Sequence, residues 1–266
     1  MSQQSPGAAV ARAAPADAIR IVPVFGVHQI AAPVAGAPPQ PAPQLIYNGG
    51  PLLTTVKVFT VFWGSAWQQS PPSDLRTQLN QFFDNILSSP LIDQLAEYSV
   101  PGFTIGPGTR TGAATVTDSE PPIALGDQQI QQMLQQAIGT SPDFPQPDAN
   151  SLYFVYLPPG VTVSMGGSRS CQAFCGYHDT INNGQIFYAV MPYPGCAGCT
   201  GGLSTFDALT ATSSHELCEA ITDPIPGQGW YDQVHGEIGD ICAWQFKRVG
   251  QYNVQLEWSN AASQCV

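Results

Sequence analysis

Charge is scarce in this chain. Asp, Glu, Lys and Arg together make up 10% of its 266 residues, against about a quarter in an ordinary globular protein. Positive charge is scarcer still: eight Lys and Arg stand against nineteen Asp and Glu, a formal net charge of −11. That balance argues against nucleic-acid binding, which needs basic patches, and against docking on anionic membrane surfaces. Long apolar runs are missing as well. No stretch is long enough to span a bilayer, so no membrane insertion is expected. The first twenty residues also lack the continuous apolar segment of a signal peptide.

Gly, Pro, Ser, Thr, Gln and Asn supply the polar surface instead, which together with the cysteines points to a secreted protein. There are seven cysteines. Six fit a disulfide framework in an oxidising compartment, with one left over. Cys218 is the odd one, because it falls inside a predicted helix. Cys242 with Cys265 is a plausible pair that would tie down the C-terminus. Cys171, Cys175, Cys196 and Cys199 then pair among themselves, in an order the sequence leaves open. A four-cysteine zinc site built from C-x3-C and C-x2-C is the rival reading.

The length allows one good-sized core. Residues 1–44 are rich in Ala, Pro and Gln, and Pro38 to Pro43 suggests an extended polyproline-type linker. This leader is a candidate pro-segment. Ile21 to Val27 within it could form a short strand against the body, and His28 could reach a metal there. The domain proper spans 45–266. Thr55 to Trp63 predicts a buried strand. Ser73 is expected to cap a helix carrying Leu75, Leu79, Phe82, Phe83 and Ile86. A shorter helix follows over Pro90 to Tyr98, then a strand or hairpin over Phe103 to Val116. Asp127 opens another amphipathic helix, and Leu152 to Leu157 is the next buried strand. Cys171 to Tyr177 reads as a loop. Gln185 to Met191 reads as a strand, and is the candidate sheet edge on which an extended peptide substrate could add. Tyr252 to Trp258 alternates as an edge strand does.

The chemistry concentrates in Ser214-His215-Glu216-Leu217-Cys218-Glu219-Ala220-Ile221-Thr222-Asp223-Pro224. Ser204 and Asp207 fit a capping box at the start of a helix, and Pro224 stops it near Asp223. Positions four apart share a helix face, so His215 and Glu219 point the same way. Glu216 leans over the same space. The pattern H-E-x-x-E is a variant of the zinc-protease H-E-x-x-H, with a carboxylate in place of the second imidazole. A second acidic cluster follows at Glu237 and Asp240. Glu237 stands eighteen residues after Glu219, a separation that resembles the gluzincin metalloproteases, in which a downstream Glu is the third zinc ligand. The order of elements is also similar to that of a zincin: an α/β (α+β) fold with a twisted mixed sheet, the H-E-x-x-E helix as the floor of a cleft, and an irregular, disulfide-tied C-terminal part.

Several stretches together resemble the plant EXORDIUM family, also called phosphate-induced protein 1, and its bacterial relatives. They are Tyr47-Asn48-Gly49-Gly50-Pro51-Leu52-Leu53, Val61-Phe62-Trp63-Gly64 with Trp67, and Cys171-x3-Cys175-Gly176-Tyr177-His178. The series continues with His215-Glu216-Leu217-x-Glu219, Asp223-Pro224, Trp230-Tyr231 and Glu237-Ile238-Gly239-Asp240-x-Cys242. The likeness runs in order over about residues 46–266 and implies a secreted, cell-wall-type protein. The chain departs from the family in a shorter C-terminal region, in Cys218 where a small residue is expected, and in its Ala/Pro leader.

The expected mechanism is that of a metalloendopeptidase acting on a peptide or protein substrate. His215, Glu219 and Glu237 hold Zn²⁺, with Asp240 as the other contender for third ligand. Glu216 is the general base for a water activated by the metal. His178, Tyr231 and His235 are candidates to stabilise the oxyanion. Two carboxylate ligands leave the site less positive than a two-histidine site, which also favours a harder ion such as Mn²⁺ or Ca²⁺. The alternative is a non-catalytic cell-surface protein that keeps the metal for structure. A further alternative is a glycosidase using Glu216 and Glu237.

Overall fold

The computed structural model describes residues 21–26 and 41–266. Most of the Ala/Pro leader, His28 included, lies outside the described residues. The fold is mixed α/β, built on a six-stranded sheet with both parallel and antiparallel pairs. In chain order the strands are β1 (Ile21–Pro23), β2 (Lys57–Trp63), β3 (Thr109–Val116), β4 (Ser151–Tyr156), β5 (Phe174–Ile181) and β6 (Ile186–Met191). Their order across the sheet is β1-β5-β6-β4-β2-β3. The β6-β4-β2-β3 part is parallel, whereas β5 runs antiparallel to both β6 and β1.

Both faces of the sheet are covered. Leu152, Phe154 and Tyr156 of β4 join one apolar cluster, and Tyr153 and Val155 join the other. Strand β6 divides the same way, with Phe187, Ala189 and Met191 on the first face and Ile186, Tyr188 and Val190 on the second. Continuous apolar runs are what strands buried on two faces require. Helices α1 (Pro72–Ile86) and α3 (Thr205–Thr222) cover the first face, and α2 (Asp127–Thr140) covers the second through Ile130, Met133, Leu134 and Ile138.

Several local expectations are corrected. Gln185 to Met191 is not an edge: β6 lies inside the sheet, between β5 and β4. Cys171 to Tyr177 is not all loop, because β5 begins at Phe174. Helix α1 takes no cap from Ser73; it starts at Pro72, with Pro71 at the cap position and no side-chain hydrogen bond there. A proline at the first position has no N–H to leave unpaired. Of the strand or hairpin expected over Phe103 to Val116, the strand is present, as Thr109–Val116 running parallel to β2. The short strand expected from Ile21 onward does lie against the body: β1 pairs with β5, and Val24 is buried beside Cys175 and Cys199.

The C-terminal part forms small ribbons. Strands β7 (Phe246–Val249) and β8 (Tyr252–Gln255) pair with each other, and β8 packs on α3. Trp258–Ser259 pairs with Gln264–Cys265. Three disulfides close the structure: Cys171–Cys196, Cys175–Cys199 and Cys242–Cys265. The first two join the start of β5 to the segment leading into α3, which leaves no thiols for a zinc site there. Cys218 is the free, buried cysteine.

Candidate metal centre

Helix α3 is buried from Ala208 to Thr222, although half of that stretch is polar. Its start is capped by Ser204, whose Oγ accepts from the Asp207 N–H at 3.1 Å. The Asp207 side chain does not return the bond of a capping box; it pairs with the Arg248 guanidinium. At the other end Asp223 leaves the helical conformation, and its carboxylate accepts from the backbone N–H groups of Gly227, Gln228 and Gly229. The chain therefore folds back over the last turns of the helix.

Six ionisable side chains converge there: His215, Glu216 and Glu219 from α3, His178 from β5, and Glu237 and Asp240 from the returning segment. None is more than 5% exposed. His215 Nε2 lies 2.9 Å from Glu219 Oε1, the one-turn spacing on the helix realised in space. His178 Nδ1 lies 3.0 Å from Glu216 Oε2 and 3.5 Å from Glu219 Oε2. Its Nε2 lies 3.2 Å from the Asp223 carbonyl oxygen and 3.5 Å from Glu237 Oε1. Asp240 Oδ2 accepts from the Glu237 N–H at 3.0 Å, and the Asp240 N–H donates to Glu219 Oε1 at 3.1 Å.

Two glycines make this convergence possible. A Cβ at Gly239 would stand 2.8–2.9 Å from three atoms of the His215 ring. A Cβ at Gly176 on β5 would stand 2.5 Å from Thr212 Cγ2 of α3. Backbone at both places approaches the helix more closely than any side chain permits.

The electrostatics are those of a cluster short of positive charge. Burial, with the nearby charges of Glu219, Asp223 and Asp240, pushes Glu237 well above the usual carboxylate range. Burial and Glu219 do the same to Asp240. Burial also raises Glu216, against the pull of His178. Burial would raise Glu219 too, but the two imidazoles outweigh it and hold that carboxyl down to about 2. Burial lowers His178, but Glu216 and Glu219 outweigh it and bring the imidazole up to about 10. His215 is likewise raised, chiefly by Glu219 against the effect of burial.

The donor set fits a divalent cation. Glu216 Oε1, Glu219 Oε2, both oxygens of Glu237 and Asp240 Oδ1 are buried without a hydrogen-bond partner. Unpaired buried carboxylate oxygens each cost several kcal/mol, on the order of 1–3 or more. Carboxylate oxygens and imidazole nitrogens are the ligands of zinc and of harder ions. The donors fall into two groups within mutual reach of 4.8 Å: His215, Glu219 and Asp240, and His178, Glu219 and Glu237. Gln255 Nε2 stands 2.7 Å from His215 Nδ1 and 2.9 Å from the Gly239 carbonyl oxygen.

The structure sets Asp240 with His215 and Glu219, and Glu237 with His178 and Glu219, in groups within mutual reach. His235 joins neither donor group and is held by Asp232 Oδ1 at 3.0 Å. Tyr231 is buried in a two-residue ribbon, paired with Ile46. Sequence reasoning missed Gln255 and Asp223 as supports. It also missed Glu257, which is fully buried with both oxygens unpartnered. Their signal is weak, since a single polar residue in a C-terminal ribbon announces nothing until the ribbon is docked on α3. Two surface grooves, of about 540 and 390 Å³, are lined by α1, β3 and α2 residues and include none of the cluster. No helix among the described residues is long and apolar enough to cross a membrane. No protein-family model matches this chain, and no curated protein matches it.

Proposed function

We propose that this chain is a secreted, metal-dependent hydrolase of zincin-like type that cleaves peptide bonds at the α3 cluster. One observation carries the reading. Glu216 belongs to neither donor group, yet it is fully buried beside them with Oε1 unpartnered. A carboxylate that a cation does not need is what a general base looks like. A divalent cation bound here would polarise a substrate carbonyl and acidify a water. Glu216 Oε1 would take that water's proton and return it to the leaving nitrogen. His178, 3.0 Å from Oε2, would fix the carboxylate's orientation. The H-E-x-x-E helix beneath a mixed sheet supports the zincin-like reading, and three disulfides support secretion, as does the EXORDIUM-like run of motifs.

Full burial of every donor favours a second reading, in which the cation is an internal brace in a non-catalytic cell-surface protein. Metal content of wild type beside His215→Ala, with a peptide-library digest of wild type beside Glu216→Gln, decides between them. A cation lost in the first variant and hydrolysis lost in the second support the hydrolase. A retained cation with no hydrolysis by wild type leaves the brace. No cation in a well-folded, chelator-free wild type removes both.

A further inference from the structure

Granting that the cluster holds a cation, we propose that it holds two, bridged by the Glu219 carboxylate. The donors divide into two groups of three that share only Glu219. Its two oxygens serve different imidazoles: Oε1 lies 2.9 Å from His215 Nε2, and Oε2 lies 3.5 Å from His178 Nδ1. Donor atoms bonded to one ion at about 2.1 Å stand about 3.0 Å apart at right angles and about 3.4 Å apart in a tetrahedron. Both separations therefore fall within single coordination shells, one on each side of Glu219. A carboxylate bridging in this way suits ions about 3.5–4 Å apart.

The unpartnered oxygens divide the same way: Asp240 Oδ1 belongs to the first group, and both oxygens of Glu237 belong to the second.

His178 is also held from outside the cluster: its Nε2 lies 3.2 Å from the Asp223 carbonyl oxygen, as outer partners hold metal-bound histidines.

The test uses the full-length protein prepared without chelator. Equilibrium loading with Zn²⁺ followed by elemental analysis should give two ions per chain in wild type and one in His178→Gln. Loading with Mn²⁺ should give the spin-coupled electron paramagnetic resonance spectrum of a bridged pair. That readout needs no variant, and so it decides even where His178→Gln does not fold. One ion per chain with an isolated Mn²⁺ spectrum overturns the second ion and leaves the first. Two ions without spin coupling overturn the Glu219 bridge. No bound ion overturns this proposal together with the function it rests on.

Discussion

Glu237→Gln separates a cation site from a merely buried acid. Both Glu237 oxygens are fully buried without a hydrogen-bond partner, and the nearest basic group is His178 Nε2, 3.5 Å from Oε1. In chelator, burial and its acidic neighbours push the carboxyl pKa up and so favour its protonated form. A neutral amide in place of a protonated acid of the same size should change stability by less than about 1 kcal/mol. With cation present the outcome differs. Zinc at about 100 times the dissociation constant stabilises the native state by about 2.7 kcal/mol. Loss of one ligand that weakens binding about 100-fold leaves about 0.4 kcal/mol of this, a difference of about 2.3 kcal/mol. For a chain of this size that is roughly 5–9 °C in Tm. Thermal unfolding followed by circular dichroism, in chelator and in zinc, reads both arms. Wild type should lose several degrees on chelation, and the variant should lose little. An equal fall of the variant in both conditions would refute the reasoning, because it would mean that the protein, not a cation, holds Glu237.

Other expectations follow from the same geometry. Gly239→Ala should push the His215 ring out of place, at a cost of about 1–3 kcal/mol, and should weaken zinc binding in a direct titration; unaltered binding would mean the ring has room to yield. In the chelated protein the sign of the pH dependence is set by groups with raised pKa values. Asp223 is raised from 3.8 to about 6 by burial, and His178 from 6.5 to about 10 by its carboxylates against burial. Their contributions are complete below the ordinary values and are lost as pH rises through the shifted ones. Glu219 acts oppositely, but only as pH falls from 4.5 through about 2. Cation binding competes with the protons, so it strengthens as pH rises. The Tm gap between loaded and chelated protein should be wider at pH 8 than at pH 5, and a narrower gap would contradict this assignment. Cys218 is fully buried, and burial pushes its thiol pKa up. A maleimide should label no cysteine in the native protein and one after unfolding without reductant; labelling of native protein would show that α3 opens.

The H-E-x-x-E helix was legible because its determinants are local. Ser204, the four-residue spacing of His215 and Glu219, and Pro224 all act within one segment. The Cys242–Cys265 pair and the unpaired Cys218 were legible for a similar reason, since the helix claims Cys218 for itself. Strand β6 was misplaced although its sequence carried the signal. Ile186 to Met191 is apolar throughout, without the alternation of a half-exposed strand, and such a run belongs inside a sheet. His178 was harder. The β5 sequence FCGYHDTI mixes a disulfide cysteine, a glycine and polar residues, and so reads as loop. Its place in the cluster depends on the register that sets Ala189 opposite His178, and on Gly176 admitting Thr212 of α3. Both are contacts between distant segments, which no local pattern encodes. The choice between Glu237 and Asp240 was undecided for the same reason. They are three residues apart, and only the fold of the returning segment sends one to His215 and the other to His178.

Closure is the feature on which the proposed catalysis turns. An internal brace gains from complete burial, whereas a hydrolase must open. Of the segments around the cluster, β5 is fixed in the sheet and β8 is paired with β7 and packed on α3. The segment after Pro224 is held outside the main sheet, by the Asp223 carboxylate on the N–H groups of Gly227, Gln228 and Gly229, by the Trp230 side chain on the Tyr98 carbonyl, and by backbone bonds from Asn48 and Gly50 to the Gly229 and Gln228 carbonyls. If the cluster acts on substrate, this is the segment that must lift, and its amides should exchange by local opening rather than by global unfolding. Native-state hydrogen exchange can read those three amides against the interior of α3. Protection at 227–229 well below that of α3, and insensitive to low denaturant, is the expected result for a hydrolase. Protection equal to that of α3 would mean that the cluster is exposed only when the whole domain unfolds, and Glu216 would then have no substrate to serve.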